Sequence, residues 1–116
     1  MRTRKDHVMY QYTTPNLTFT LNDVQLESGT QVSLTFQPWD KQTKKERGEA
    51  VTFDNLPFVV DGNDTVVTLK LTQEQSASFP LGTMQAQINY KLPNGDRGVS
   101  DKKFIAVNKN LRSEVM

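Results

Sequence analysis

The residues of this chain that could do chemistry are few and scattered. His7 is the sole histidine, and it stands beside Asp6 in a basic start, Met1-Arg2-Thr3-Arg4-Lys5-Asp6-His7, that carries nothing to build a core. An imidazole that acts as general base or activates a nucleophile is held in a cleft by a rigid scaffold, which a solvated arm does not supply. Two carboxylates about 5 to 10 Å apart suffice for glycoside hydrolysis. The acids here fall in turns and loops without a recognisable cluster. The expectation is a protein without catalytic residues or cofactor, not an enzyme.

Three further constellations deserve weighing against simpler accounts. Asp61-Gly62-Asn63-Asp64, with Asp54, offers the oxygen ligands calcium prefers but lacks the spacing and terminal Glu of an EF-hand loop. Turn residues bonding their own backbone account for it more simply, and no metal is expected. Asp40 to Glu49 contains four basic residues, yet three acids offset them and no aromatic is interleaved for base stacking, so a solvated loop is expected and nucleic acid is not. Trp39, the single tryptophan, could serve as a stacking platform for a sugar beside Tyr10 or Tyr12. The preferred reading is that it caps the end of the core with its indole N–H bonded to a carbonyl. Asn16-Leu17-Thr18 and Asn63-Asp64-Thr65 match the glycosylation acceptor pattern and read as chance matches.

The totals agree with this. The 116 residues suit one domain able to build a core unaided, and cysteine is absent, which excludes disulfides and thiolate zinc sites. Fourteen basic against thirteen acidic residues leave a net charge of +1, far from the balance of a dedicated nucleic-acid binder. No apolar run approaches the roughly 20 residues of a membrane span, and the start has no signal-like apolar stretch, so a soluble chain without membrane contact is expected.

The elements that must position these residues are strands. Met84, Ala86, Ile88, Tyr90 and Leu92 alternate with Gln85, Gln87, Asn89 and Lys91, giving one dry and one wet face. Leu17, Phe19 and Leu21 alternate likewise, as do Val32, Leu34 and Phe36, and Val67, Leu69 and Leu71. Shorter strands are expected at Val8 to Tyr12, Ala50 to Phe53 and Phe58 to Val60. Thr72-Gln73-Glu74-Gln75 has capping-box spacing and predicts a helical turn near 72–77, which Phe79-Pro80 ends. The domain is thus expected to run over 8–107, between a flexible basic arm at 1–7 and a polar tail at 108–116. One-sided strands in this number bury themselves as an all-β, antiparallel two-sheet sandwich of immunoglobulin-like kind with about seven strands.

The register after Asn94-Gly95 admits two solutions. A tight two-residue turn sets Val99 beside Tyr90, Asp101 beside Ile88 and Lys103 beside Ala86, with Ile105 and Val107 inward and Phe104 and Ala106 outside. A bulge between Ser100 and Lys103 would instead send the charges out and bring Phe104 and Ala106 in. The tight turn with a frayed edge is the expectation.

The order of motifs resembles small β-sandwich proteins of tailed bacteriophages and prophages over nearly the whole chain. The likeness lies in Thr13-Thr14-Pro15-Asn16-Leu17-Thr18-Phe19-Thr20-Leu21, in Val66 to Leu71 running into Thr72-Gln73-Glu74-Gln75, in Gln85-Ala86-Gln87-Ile88-Asn89-Tyr90, and in Asn110-Leu111-Arg112-Ser113-Glu114-Val115. Lys103 departs from it where an apolar residue is expected, and the Lys41 to Glu49 loop is longer than usual. The resemblance implies a non-enzymatic virion component or assembly accessory, working by contact with other phage structural proteins in the virion or infected bacterial cytoplasm, as a homo-oligomer or ring. Docking is then expected of the arm, through Arg2, Arg4 and Lys5, and of the tail, through Lys109, Leu111, Arg112 and Val115. A glycan-binding or adhesion module using Trp39, Tyr10 and Tyr12 is the alternative.

Overall fold

The computed structural model describes residues 7–116, so Arg2, Arg4 and Lys5 lie outside the described residues. The strands are β1 (His7–Tyr10), β2 (Asn16–Leu21), β3 (Gln31–Asp40), β4 (Lys45–Glu46), β5 (Val51–Phe53), β6 (Phe58–Asp61), β7 (Asp64–Lys70), β8 (Gly82–Lys91), β9 (Arg97–Val99) and β10 (Lys103–Asn108). One helix, α1 (Gln73–Ser78), lies between β7 and β8. The larger sheet runs β1-β10-β8-β3-β4, with β5 also on β3 and β9 also on β8, and the smaller runs β2-β7-β6. The chain is therefore all-β in two sheets. Short strands the alternation cannot reveal raise the number above the expected seven. One pair also departs from the antiparallel expectation: β1 lies parallel to β10, with Met9 opposite Val107.

The dry faces named from the sequence meet. Leu17, Phe19, Leu21, Val67, Leu69 and Leu71 of the smaller sheet pack on Val32, Leu34, Phe36, Met84, Ala86, Ile88, Ile105 and Val107 of the larger, all buried. Each such side chain contributes about 1.5 to 3 kcal/mol when fully removed from water. Phe79 closes one end, its ring 5.2 Å from Phe36 and 6.3 Å from Phe53 between centroids. It arrives there because α1 is short. Thr72 Oγ1 accepts from Gln75 N at 3.1 Å and Gln75 Oε1 accepts from Thr72 N at 2.9 Å, the reciprocal capping box read in the sequence.

Two buried hydroxyls fasten connecting segments to this core. Thr65 Oγ1 donates to Val24 O at 2.6 Å and accepts from Leu26 N at 3.1 Å, drawing the β2–β3 connection inward so that Leu26 joins the core. Ser76 Oγ accepts from Thr13 N at 3.0 Å and lies 2.7 Å from Thr13 O as donor, tying α1 to the β1–β2 turn.

The β8–β9 hairpin corrects the expected two-residue turn, because its loop is one residue longer and a bulge further along restores the register at Lys103. Its loop holds three residues, Pro93-Asn94-Gly95: Leu92 N donates to Asp96 O at 2.7 Å, Gly95 N donates to Leu92 O at 2.9 Å, and Gly95 takes φ +96°. The extra loop residue sets Gly98, not Val99, opposite Tyr90, and Val99 opposite Asn89 on the outer side. Ile88 is met by Ser100 rather than by Asp101. Ser100 N donates to Ile88 O, and Ile88 N donates to Ser100 Oγ, each at 2.9 Å. Asp101 and Lys102 then both stand against the single Gln87, a bulge that returns Lys103 to its place opposite Ala86. Ile105 and Val107 are buried as expected, Phe104 and Ala106 lie outside, and Asp101 and Lys102 stay in water.

Candidate functional site

Strand alternation gives the larger sheet an outer face with its own chemistry. Side chains opposite one another across a ladder share a face, so Ser33, Thr35 and Gln37 of β3 align with Asn89, Gln87 and Gln85 of β8. Phe104 lies beside Gln85, and Val8 lies beside Ala106. Tyr10 ends β1 on the same side. Thr35 Oγ1 and Thr52 Oγ1 share a hydrogen bond of 2.8 Å at the β5 edge. Its β3 positions from Ser33 to Gln37 and β8 positions from Gln85 to Asn89 carry uncharged side chains, and Tyr10 and Val8 on β1 are half-exposed.

Trp39 belongs to this face and does not cap the core. The alternation of β3 continues through Pro38, which pairs with Met84 and is buried, so Trp39 follows Ser33, Thr35 and Gln37 outward and remains half-buried. Among the described residues its indole N–H has no hydrogen-bond partner. Tyr10 and Trp39 do not form a pair. Three strand spacings, roughly 14 Å, separate β1 from β3. Tyr12 sits in the turn after β1 with φ +62° and does not extend the face. Phe104, which the sequence does not single out, stands between them, and Lys41 Nζ lies 4.7 Å from its ring centroid. The cation covers one side of that ring.

Lys41 reaches Phe104 because the polar run forms a hairpin, with Trp39 opposite Glu46 and Asp40 opposite Lys45. Asp40 Oδ1 accepts from Gln42 N at 2.9 Å and from Thr43 N at 3.4 Å, and these donors hold its carboxyl below the ordinary value of 3.8. Arg47 then staples the hairpin to β8. Its Nε donates to Trp39 O at 3.1 Å, and its Nη2 lies 3.0 Å from both Leu81 O and Thr83 O. This basic residue is occupied by backbone carbonyls, which sequence gives no means of seeing.

The tail is exposed at Lys109, Leu111, Arg112 and Val115, and Leu111 is fully so. It is pinned at both ends, by Asn110 Nδ2 donating to Gln11 O at 3.1 Å and by Met116 N donating to Gln73 Oε1 at 2.6 Å. Arg112 pairs with Glu114 at 3.0 Å, not with the body of the domain. At the Asp61-Gly62-Asn63-Asp64 turn, Asp64 Oδ1 accepts from Asp23 N at 2.8 Å, and Gly62 O accepts from Gln25 Nε2 at 2.6 Å. These bonds fasten the neighbouring loop. Among the described residues no three His, Cys, Asp or Glu side chains gather as a metal-binding group, and no helix is long and apolar enough to cross a membrane.

Comparison with known proteins finds no match to a family model, a curated protein or a solved structure. The surface chemistry must therefore carry the functional argument by itself. That chemistry is an apolar patch of Val8, Ala106 and Phe104 on β1 and β10, with Trp39 on the far side of the polar β8 residues Thr83 and Gln85.

Proposed function

We propose that this chain is a non-enzymatic docking module of immunoglobulin-like kind that works by protein–protein contact through the outer face of its larger sheet. The observation that carries the reading is that Val8, Phe104 and Trp39 share one sheet face with uncharged Gln37, Gln85 and Gln87, the Lys41 ammonium over Phe104 being the charge placed on it. Interface cores are enriched in aromatic residues and depleted of charge in this way. The motif resemblance to small sandwich proteins of tailed phages supplies the setting: a virion component or assembly accessory, acting on other phage structural proteins in the infected bacterial cytoplasm and the particle. The tail from Lys109 to Val115 adds a second contact element at the rim.

Glycan binding is the second reading, favoured by an outward Trp39 beside side-chain amides. Two features weigh against it. Trp39 and Tyr10 are too far apart to grip one sugar ring, and Lys41 covers a side of Phe104. Incorporation of the chain into assembling particles tests the two together. Phe104→Ser and Val8→Ser should lower incorporation at least tenfold with the far-ultraviolet spectrum unchanged, while the unmodified chain should already give only background on a glycan array; a signal lost in Trp39→Ala would favour the glycan reading instead. Undiminished incorporation of both serine variants refutes the docking face.

A further inference from the structure

The smaller sheet ends on β6, and this edge is open and apolar. Its two-residue hairpin with β7 makes Asp61 and Asp64 a hydrogen-bonded pair, and ladder bonds then recur at alternate positions. Thr68 N donates to Pro57 O at 3.3 Å, which fixes the phase. Val59 therefore bonds to β7, whereas the N–H and C=O of Phe58 and Val60 point away from the sheet and meet no partner among the described residues. Val59 is 68% exposed and Val60 42%. Edge strands are ordinarily protected by shortness, a charge, a proline or a bulge; β6 is four residues long, follows Pro57 and ends on exposed Asp61, but Phe58-Val59-Val60 between them is uncharged and unbulged. The opposite edge, β2, turns Thr18 outward and presents a polar side.

We infer that β6 pairs with β6 of a second copy across a two-fold axis through Val59, joining the two smaller sheets into one of six strands. The open groups are self-complementary in this register. Phe58 faces Val60 of the partner subunit and exchanges both backbone bonds with it, and symmetry repeats the exchange, so all the open groups of the edge are satisfied at once. Val59, 68% exposed in the single chain, meets its own copy and is partly withdrawn from water. Charge permits the arrangement: Asp61 falls opposite Pro57 of the partner subunit, so the two Asp61 carboxylates are held about 13 Å apart along the strands. A register shifted to bring the Asp61 residues face to face would set like charges together and leave Phe58 unpaired. Beside the edge lies an open groove lined by Leu26, Ser28, Gly29, Leu56, Pro57, Phe58 and the chain's own Val60, and the inward side chain of Val60 of the partner subunit falls beside Phe58 at its margin. A four-residue edge buries less than the roughly 1,200 Å² of a standard interface, so the dimer forms in proportion to concentration. This inference concerns the smaller sheet and stands whether or not the outer face of the larger one docks a partner.

The absence of cysteine makes the test direct. Val59→Cys introduces the only thiol, and a non-hydrogen-bonded antiparallel pair holds its Cα atoms about 4.5 Å apart, within disulfide reach. Under mild oxidation the full chain carrying Val59→Cys should cross-link to a dimer at least tenfold faster than one carrying Thr18→Cys on the opposite edge. By light scattering, the unmodified chain should pass from one to two chain masses as concentration rises. Val60→Pro, which removes an outward N–H without touching the β7 ladder, should stay at one mass with its circular dichroism unchanged. A single mass at every concentration, equal cross-linking at the two edges, a dimer that survives Val60→Pro, or open-ended growth into fibres would each overturn the inference.

Discussion

Thr65→Val tests whether a single buried hydroxyl holds the β2–β3 connection in place. The substitution keeps the branched shape that a strand prefers and replaces the hydroxyl with a methyl of similar size, so it removes the hydrogen bonds without opening a cavity. Thr65 is fully buried, and its Oγ1 serves Val24 O at 2.6 Å and Leu26 N at 3.1 Å. Val24 is half-buried and its carbonyl can recover water, whereas Leu26 is in the core. Its amide loses its acceptor with nothing to replace it. An unsatisfied buried group costs about 1 to 3 kcal/mol, and the gain in strand preference offsets a few tenths, leaving about 2 kcal/mol. With a urea m-value of about 1 to 3 kcal/mol/M, the midpoint should fall by roughly 1 M. Hydrogen exchange should quicken at the Leu26 amide before it does at Val67 in the same sheet. Thr65→Ser, which retains the oxygen, should recover most of the loss. A midpoint shift under about 0.2 M, or a serine variant as weak as the valine one, would refute the reasoning.

Two other perturbations have determinate signs. A methyl at Gly98 would lie 2.2 Å from Cζ and 2.3 Å from Oη of Tyr90, so Gly98→Ala should displace the phenol and cost about 1 kcal/mol in denaturant melts. In a Tyr90→Ala background the same change should be neutral or stabilising, since glycine is itself costly in a strand. At the β3–β4 hairpin, Asp40 is held below its ordinary 3.8 by the Gln42 and Thr43 amides, so its contribution is present above the unfolded-state value and is lost as pH falls through the depressed one. The Gln42 amide resonance should titrate with a midpoint below 3.8, and Asp40→Asn should abolish that transition. A midpoint at or above 3.8 would contradict the geometry.

Much of the fold was legible in the chain because its central strands obey a period of two. Leu17 to Leu21, Val32 to Phe36, Val67 to Leu71 and Met84 to Ile88 are buried at the alternate positions that pattern selects. Thr72 caps α1 as its spacing implies. What escaped was set by contacts distant in sequence. The Arg47 side chain bonds carbonyls 34 and 36 residues away, and Thr65 acts on a segment 41 residues before it, so neither role leaves a local trace. The direction of β1 is invisible for a related reason, since alternation says which side chains point inward and nothing about which way the neighbour runs. Trp39 differs, because its signal was present: β3 alternates without interruption through Pro38, and ending the strand at Phe36 hid the outward turn of the indole. The candidate face was legible as a row of glutamines on β8. Its aromatic member Phe104 was expected outside and lies there, with Lys103 opposite Ala86 as read, although the loop that leads to this register is one residue longer than expected.

The residue gained in the loop at Pro93-Asn94-Gly95 and the residue spent opposite Gln87 cancel, and this makes the hairpin tip an independent cassette. Its length can change by one at the loop and be balanced at Asp101-Lys102 without moving Ile105. The frame that seats the innermost strands is thereby insulated from whatever Arg97 to Val99 come to carry, leaving this end of the molecule free to vary while the layers beneath keep their alignment.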